Sequence, residues 1–180
     1  MTTSRIALLR GVNVGGKNKL PMKDLADMFR EAGCTDVATY IQSGNVVFRA
    51  RATLARELPA CIVAAIAVRH GIQTVIVMRT AAEWAEMVAN NPFATPSADP
   101  KALAVAFLAD TPSAARIAAL DPRRSPPDEF AVRGADVYLR LRNGFARTKL
   151  TNAWFDSKLA TTSTARNWRT VLELFEMARG

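Results

Sequence analysis

The sequence predicts an α+β protein built from two successive β-α-β-β-α-β units. Three observations carry this. Short apolar or alternating runs, bounded by Gly, Pro and Asn, interleave with longer segments of helical spacing. The order of these elements in residues 1–80 recurs in residues 102–180. Between them, residues 81–101 combine one short helical pattern with prolines at 92, 96 and 100, as a connecting helix and linker would. At 180 residues the chain can hold one large domain or two small ones, each with a genuine core.

In the first unit, Ile6 to Leu9 is an unbroken apolar run that reads as a buried strand, stopped by Gly11, Gly15 and Gly16. Pro21 suits a first helical turn, and Met22, Leu25, Ala26, Phe29 and Ala32 keep helical spacing up to Gly33. Val37, Thr39 and Ile41 alternate as a strand, Ser43-Gly44 signals a two-residue turn, and Val46 to Phe48 continue as its hairpin partner. Leu54, Leu58, Cys61, Ile62, Ala65 and Ile66 mark a second helix, with a kink expected at Pro59 and an end before Gly71. Ile72 to Met78 is rich in β-branched residues and reads as the fourth strand.

Ala81 to Ala89 reads as the connecting helix. Leu103 to Ala109 is the next strand, Thr111 with Pro112 is expected to cap a helix to Leu120, and Arg123 to Asp128 is a Pro-rich loop. Phe130 to Arg133 and Val137 to Leu141 form a hairpin around Gly134-Ala135, followed by a helix from Thr151 to Leu159 and a short strand over Thr161 to Ala165. Trp168, Val171, Leu172, Phe175 and Ala178 give an added C-terminal helix its apolar stripe. The β-α-β-β-α-β order is the ferredoxin-like unit, so two tandem ferredoxin-like plaits are expected.

Composition narrows the function classes. Lys and Arg number 24 against 16 Asp and Glu, a net charge of +8. The excess sits in two segments. Residues 1–23 hold Arg5, Arg10, Lys17, Lys19 and Lys23 with no acid, and residues 139–170 hold Arg140, Arg142, Arg147, Lys149, Lys158, Arg166 and Arg169 against Asp156 alone. No run approaches the ~18 apolar residues of a membrane span, and Arg5 and Arg10 interrupt any secretory pattern, so a cytoplasmic protein without membrane contact is expected. One histidine and two cysteines make metal centres, cofactor ligation and His-based catalysis poor expectations.

Gly11-Val12-Asn13-Val14-Gly15-Gly16-Lys17 satisfies the GxxxxGK spacing by which a P-loop cradles phosphate after a strand. Asn18 stands where a P-loop needs Ser or Thr for magnesium, and the helix starts only near Pro21. The expectation is therefore a glycine-rich anion loop, not a nucleotide-hydrolysing one. In the predicted topology this loop and the turn Gln42-Ser43-Gly44-Asn45 share one sheet edge, ~10 Å apart, with His70 nearby. The loop from Arg142 to Lys149 and the strand exit at Arg166-Asn167 share an edge of the second unit. Trp154 and Trp168 have apolar neighbours at helical spacing and are expected in the core.

Three stretches carry a resemblance. Ile6 to Asn18 (IALLRGVNVGGKN), Tyr40 to Phe48 (YIQSGNVVF), and Lys149-Leu150-Thr151-Asn152 with Arg166-Asn167-Trp168 closely resemble the bacterial family catalogued as domain of unknown function 1697. The resemblance implies a pair of ferredoxin-like subdomains and brings no established activity.

The resulting expectation is a binding module for a phosphate-rich anion, a nucleic acid or a nucleotide, held in a basic inter-domain cleft. Its candidate anion-binding residues are Arg10, Asn13, Gly15, Gly16, Lys17, Asn18, Gln42, Ser43, Asn45, Lys149, Asn152, Arg166 and Asn167. The alternatives are an enzyme on a small phosphorylated or carboxylated substrate and a protein-interaction module. Ile6 to Leu9 has none of the stacking aromatics of an RNA-binding plait and the third strand offers only Phe48, so nucleic acid would be met through phosphates at edges and loops.

Overall fold

A computed structural model describes all of residues 1–180. The chain divides into two compact units, Met1–Ala85 with Leu174–Gly180, and Glu86–Glu173. The boundaries fall inside helices, not in the Pro-rich segment, and that segment belongs to the second unit. Two contacts tie it there: Arg133 Nη1 donates to the Asn90 carbonyl at 2.8 Å, and the Arg140 guanidinium lies 5.2 Å over the Phe93 ring, while inside the segment Asp99 caps a single 3-10 turn over Pro100–Ala102.

The first unit contains β1 (Thr2–Leu9), α1 (Met22–Glu31), β2 (Thr35–Tyr40), β3 (Asn45–Arg51), α2 (Ala52–His70) and β4 (Ile76–Thr80). Its four strands form an antiparallel sheet in the order β2-β3-β1-β4. Ala7 and Leu9 of β1 join Val46, Phe48 and Ala50 of β3 on one face. They pack with Leu25 and Phe29 of α1 and Leu58, Ile62 and Ile66 of α2, and the Phe29 and Phe48 ring centroids lie 5.0 Å apart.

Several element boundaries move from the sequence-based expectation. β1 starts four residues early because β3 supplies pairing partners as far as Thr2↔Arg51, beyond the apolar run. β4 starts at Ile76, four residues later than expected, since its partner β1 ends at Leu9, opposite Ile76. The β2–β3 connection spans the four residues Ile41–Gly44, not two; Tyr40 pairs with Asn45 and Ile41 leaves the strand. Helix α2 runs without a break through Pro59, and Cys61 is exposed instead of lying on its buried face.

The second unit contains β5 (Leu103–Leu108), α4 (Ala114–Ala118), β6 (Glu129–Arg133), β7 (Asp136–Arg140), α5 (Asn152–Leu159) and β8 (Ser163–Asn167). The connecting helix α3 (Ala81–Ala89) and the terminal helix α6 (Trp168–Arg179) each straddle the unit boundary. The sheet is again antiparallel, in the order β6-β7-β5-β8. Ala104, Ala106 and Leu108 pack with Leu139, Leu141, Phe155 and Leu159, and Trp154 meets Phe130 and Phe155 edge-on at 5.8 and 4.9 Å. Trp154 therefore packs half-buried against the core. The α4 cap is Ser113, whose Oγ accepts the Arg116 N–H at 3.4 Å, not the predicted Thr111. The molecule is an α+β protein of two four-stranded antiparallel sheets and six helices.

Candidate functional site

Strand register assembles the first unit's edge. Leu8 pairs with Asn45 and Leu9 with Ile76, so the chain leaving β1 meets the chains entering β3 and β4. Leu9 N–H donates to the Gly44 carbonyl at 2.8 Å, Arg10 N–H to Val75 at 3.0 Å, and Thr74 Oγ1 to the Arg10 carbonyl at 2.7 Å.

The Gly11 to Leu20 segment is a folded loop clamped by two asparagines. Asn13 and Asn18 both take positive φ, 55° and 50°, a region asparagine enters more readily than most residues. Asn13 Nδ2 donates to the carbonyls of Leu20 and Gln42, at 2.8 and 2.7 Å, while its Oδ1 accepts the Leu20 N–H at 2.8 Å. Asn18 Nδ2 donates to the Gly11 carbonyl at 2.9 Å, and the Asn13 N–H to the Asn18 carbonyl at 3.0 Å. The Asn13 amide is thus spent on holding the loop, Asn18 adds one Nδ2 bond across it, and Asn13 fastens it to the β2–β3 turn.

The turn is shaped as tightly. Gly44 has φ 74°, and a Cβ there would lie 2.7 Å from both Leu9 Cβ and Val12 Cγ2, so only glycine fits. Ile41 holds φ 47° while 48 % exposed, an unfavourable conformation for a β-branched residue that leaves its side chain in solvent. Asn45 is wholly buried and its Nδ2 closes the turn onto the Tyr40 carbonyl at 3.1 Å. Gln42 is exposed and Ser43 half-buried. Gly15, Gly16, Lys17 and Lys19 are exposed, and neither lysine has a carboxylate partner. The Lys17 N–H closes on the Val14 carbonyl at 3.0 Å and α1 begins only at Met22, so the loop is not a P-loop. His70 Nε2 stands 3.5 Å from Asp24 Oδ2, partnered by the first turn of α1.

In the second unit the predicted residues divide. The ends of β7 and β8 flank the start of β5, with Leu103 opposite Arg140 and Ala104 opposite Asn167. Here the Arg142 loop and Asn167 do share an edge. Asn167 Oδ1 accepts the Thr170 N–H at 2.8 Å and so caps α6. Lys149 is exposed, and its N–H donates to Ser125 Oγ at 2.9 Å. Asn152 lies at the other end of β8, where its Oδ1 accepts from Ser163 Oγ at 3.3 Å. Arg166 is buried, unlike the exposed Lys149. It is 8 % exposed, and its Nη1 donates to Thr164 Oγ1 at 2.8 Å and the Ala165 carbonyl at 2.9 Å; burial pushes its pKa down to about 10. The guanidinium is thus held mostly inside the second unit.

Sequence reasoning passed over Lys101. With Arg140, Arg142 and Asn143 it lines a depression of about 560 Å³ at this edge. Lys101 stands alone in a Pro-rich stretch, and only the pairing of β5 with β7 brings it to the arginines. One acid, Glu129, serves both arginines: it pairs with Arg140, and Arg142 Nη2 lies 3.8 Å from its Oε2. Burial, with Cys61 adding to it, pushes the Cys34 thiol up to about 11 and so disfavours its thiolate. No cluster of His, Cys, Asp or Glu is placed to hold a metal, and no helix is long and apolar enough to cross a membrane.

Two antiparallel-sheet units, one with a clamped glycine loop and the other with a basic depression, define the class of α+β protein present here. A family model described as "Protein of unknown function (DUF1697)" matches residues 1–138, and the chain belongs to that family. Lys149, Asn152, Arg166 and Asn167 lie outside the matched stretch. Among solved structures, the conserved bacterial protein SP0830 from Streptococcus pneumoniae is similar over 99% of both chains, with TM-score 0.72 and 22% identity, a likeness of fold. A search of the curated proteins finds no match.

Proposed function

We propose that the protein is a binding module for a phosphate-rich anion, a nucleic acid or a nucleotide, and that both units are ferredoxin-like plaits. The observation that carries the reading is the clamped loop of the first unit. Asn13 and Asn18 fix it through their amides, and this leaves the exposed Gly15-Gly16 backbone beside two unpaired ammonium groups, Lys17 and Lys19. A loop held in place but offering donors outward loses little entropy when an anion arrives. The strand orders β2-β3-β1-β4 and β6-β7-β5-β8 support the plait reading. A cytoplasmic location fits the two unpaired cysteines.

The test is a salt titration of binding to a single-stranded RNA oligonucleotide, with wild type and a Lys17→Glu/Lys19→Glu double variant. Affinity should fall steeply with salt, and the double variant should flatten the log–log slope by about 1.4, or ~0.7 for each phosphate no longer neutralised. A wild-type affinity that does not respond to salt would reject the reading.

A further inference from the structure

The second unit carries another depression at its basic edge, of about 570 Å³, within the usual range for a small-molecule site. Phe145, Trp168 and Leu172 form its apolar wall, with Lys101, Arg169 and Glu173 at its rim. Folding leaves Phe145 50 % and Leu172 39 % exposed, so two large apolar side chains are uncovered at one place. Lys101 lines this depression and the neighbouring polar one, where it stands with Arg140 and Arg142. Charge there is unbalanced. Lys101, Arg140, Arg142 and Arg169 line the two depressions against the carboxylates of Asp99 and Glu173, and Glu129, which pairs with the two arginines, lies outside both linings.

We propose that these adjoining depressions form one binding site for a flat aromatic ring joined to a phosphate, a ligand the size of a mononucleotide. The ring lies against Phe145 and Leu172, and the phosphate sits between Lys101 and Arg142. An apolar wall that meets unbalanced cations fits that pairing; a purely apolar ligand would leave the cations unused, and a bare anion would leave Phe145 in water. The strand aromatics Phe48, Phe107 and Tyr138 are buried, and Phe145 offers an exposed ring from a loop instead. The site shares no residue with the glycine loop, so it stands or falls separately from the first unit's anion site.

The test is a titration of the full chain with adenosine monophosphate, followed through the backbone amide resonances of Lys101, Phe145, Trp168 and Leu172. Saturable shifts are expected at these four positions, with adenosine and inorganic phosphate each binding ~10-fold more weakly. Phe145→Ala and Lys101→Gln should each weaken binding ~10-fold, and Arg56→Gln, an exposed change on α2, should alter it less than ~2-fold. Phe145→Leu keeps apolar area without the flat ring and should behave like Phe145→Ala; both sites are exposed, so folding is preserved and checked by the thermal midpoint. Absence of shifts at millimolar adenosine monophosphate, phosphate binding as tightly as the nucleotide, or full affinity in Phe145→Leu would each overturn the proposal.

Discussion

The two units share a strand order and differ in which sheet edge they elaborate. In the first, the long loop and the four-residue turn stand where β1 ends and β3 begins. The matching edge of the second is plain: β5 leads through Ala109–Ser113 into α4, and Gly134-Ala135 closes the β6–β7 hairpin in two residues. Its long segment, residues 141–151, leaves from the opposite edge, where β7 ends and β5 begins. A common plan thus fixes the strands but not the edge that carries the long loop, and the basic residues follow the long loops.

The largest expected contrast is between the two hairpin turns. Gly44→Ala drives a Cβ to 2.7 Å from Leu9 and Val12 at φ 74°, whereas Gly134→Ala at φ 58° meets nothing within 4 Å. The first should cost about 3 kcal/mol, combining overpacking with left-handed strain, and the second about 1 kcal/mol from strain alone. Urea midpoints measure both. Equal losses would mean that the first unit's turn is no more tightly fitted than its counterpart.

A second contrast concerns what pins each loop. In the first unit it is Asn13, a neutral amide; in the second it is the buried carboxylate of Asp128, which accepts from the Asn143 N–H at 2.7 Å and from Ser125 Oγ at 2.8 Å. Burial works against ionising Asp128, but hydrogen bonds from the Asn143 N–H, Thr148, Ser125 and the Asn143 side chain outweigh it and hold its pKa below the ordinary carboxylate value. A depressed folded pKa means that the unfolded chain takes up the proton first on acidification. The stabilisation is therefore complete above about pH 4 and is lost as pH falls through the folded value. Amide exchange of Asn143 and Lys149 should accelerate below that pH more than exchange of Leu20. Asp128→Asn should remove the difference and cost about 2 kcal/mol at neutral pH. Equal acid sensitivity at Leu20 would erase the contrast.

Asn13→Gly is the matching change in the first unit. Glycine keeps the positive φ and deletes only the clamp, so the loss should be about 1–2 kcal/mol at any pH, with weaker phosphate binding at Lys17 and Lys19. Unchanged affinity for an RNA oligonucleotide would show that loop order does not matter to binding.

How much of this was legible in the sequence depends on the range of the cause. Local patterns gave the helices from Met22 and Ala81 and the hairpin at Gly134, because periodicity and turn chemistry are written within a few residues. Strand ends were misplaced at Thr2 and Ile76, since pairing partners far along the chain set them. The glycine loop was visible as a motif, but the use of Asn13 and Asn18 as its clamps was not, because an asparagine that binds a ligand and one that binds backbone look alike in sequence. Lys101 was missed for the related reason that only β5–β7 pairing gives it neighbours.

The smallest expected effect tests the same lesson at Arg166. By sequence it belongs to the second unit's basic segment and stands beside Asn167 at the edge that carries the long loop. Its side chain instead turns into the protein and bonds Thr164 and the Ala165 carbonyl. Burial lowers its pKa to about 10, still well above neutrality, so it stays charged without being offered to solvent. Arg166→Met should therefore change affinity for an RNA oligonucleotide less than ~2-fold and leave the salt slope intact, because removing a cation that neutralises a phosphate would lower that slope by ~0.7. Lys149→Met, which removes an exposed cation from the same segment, is the control expected to lower it. A slope that falls with Arg166→Met and not with Lys149→Met would place the ligand against the buried guanidinium, and the long loops would no longer account for where the charge acts.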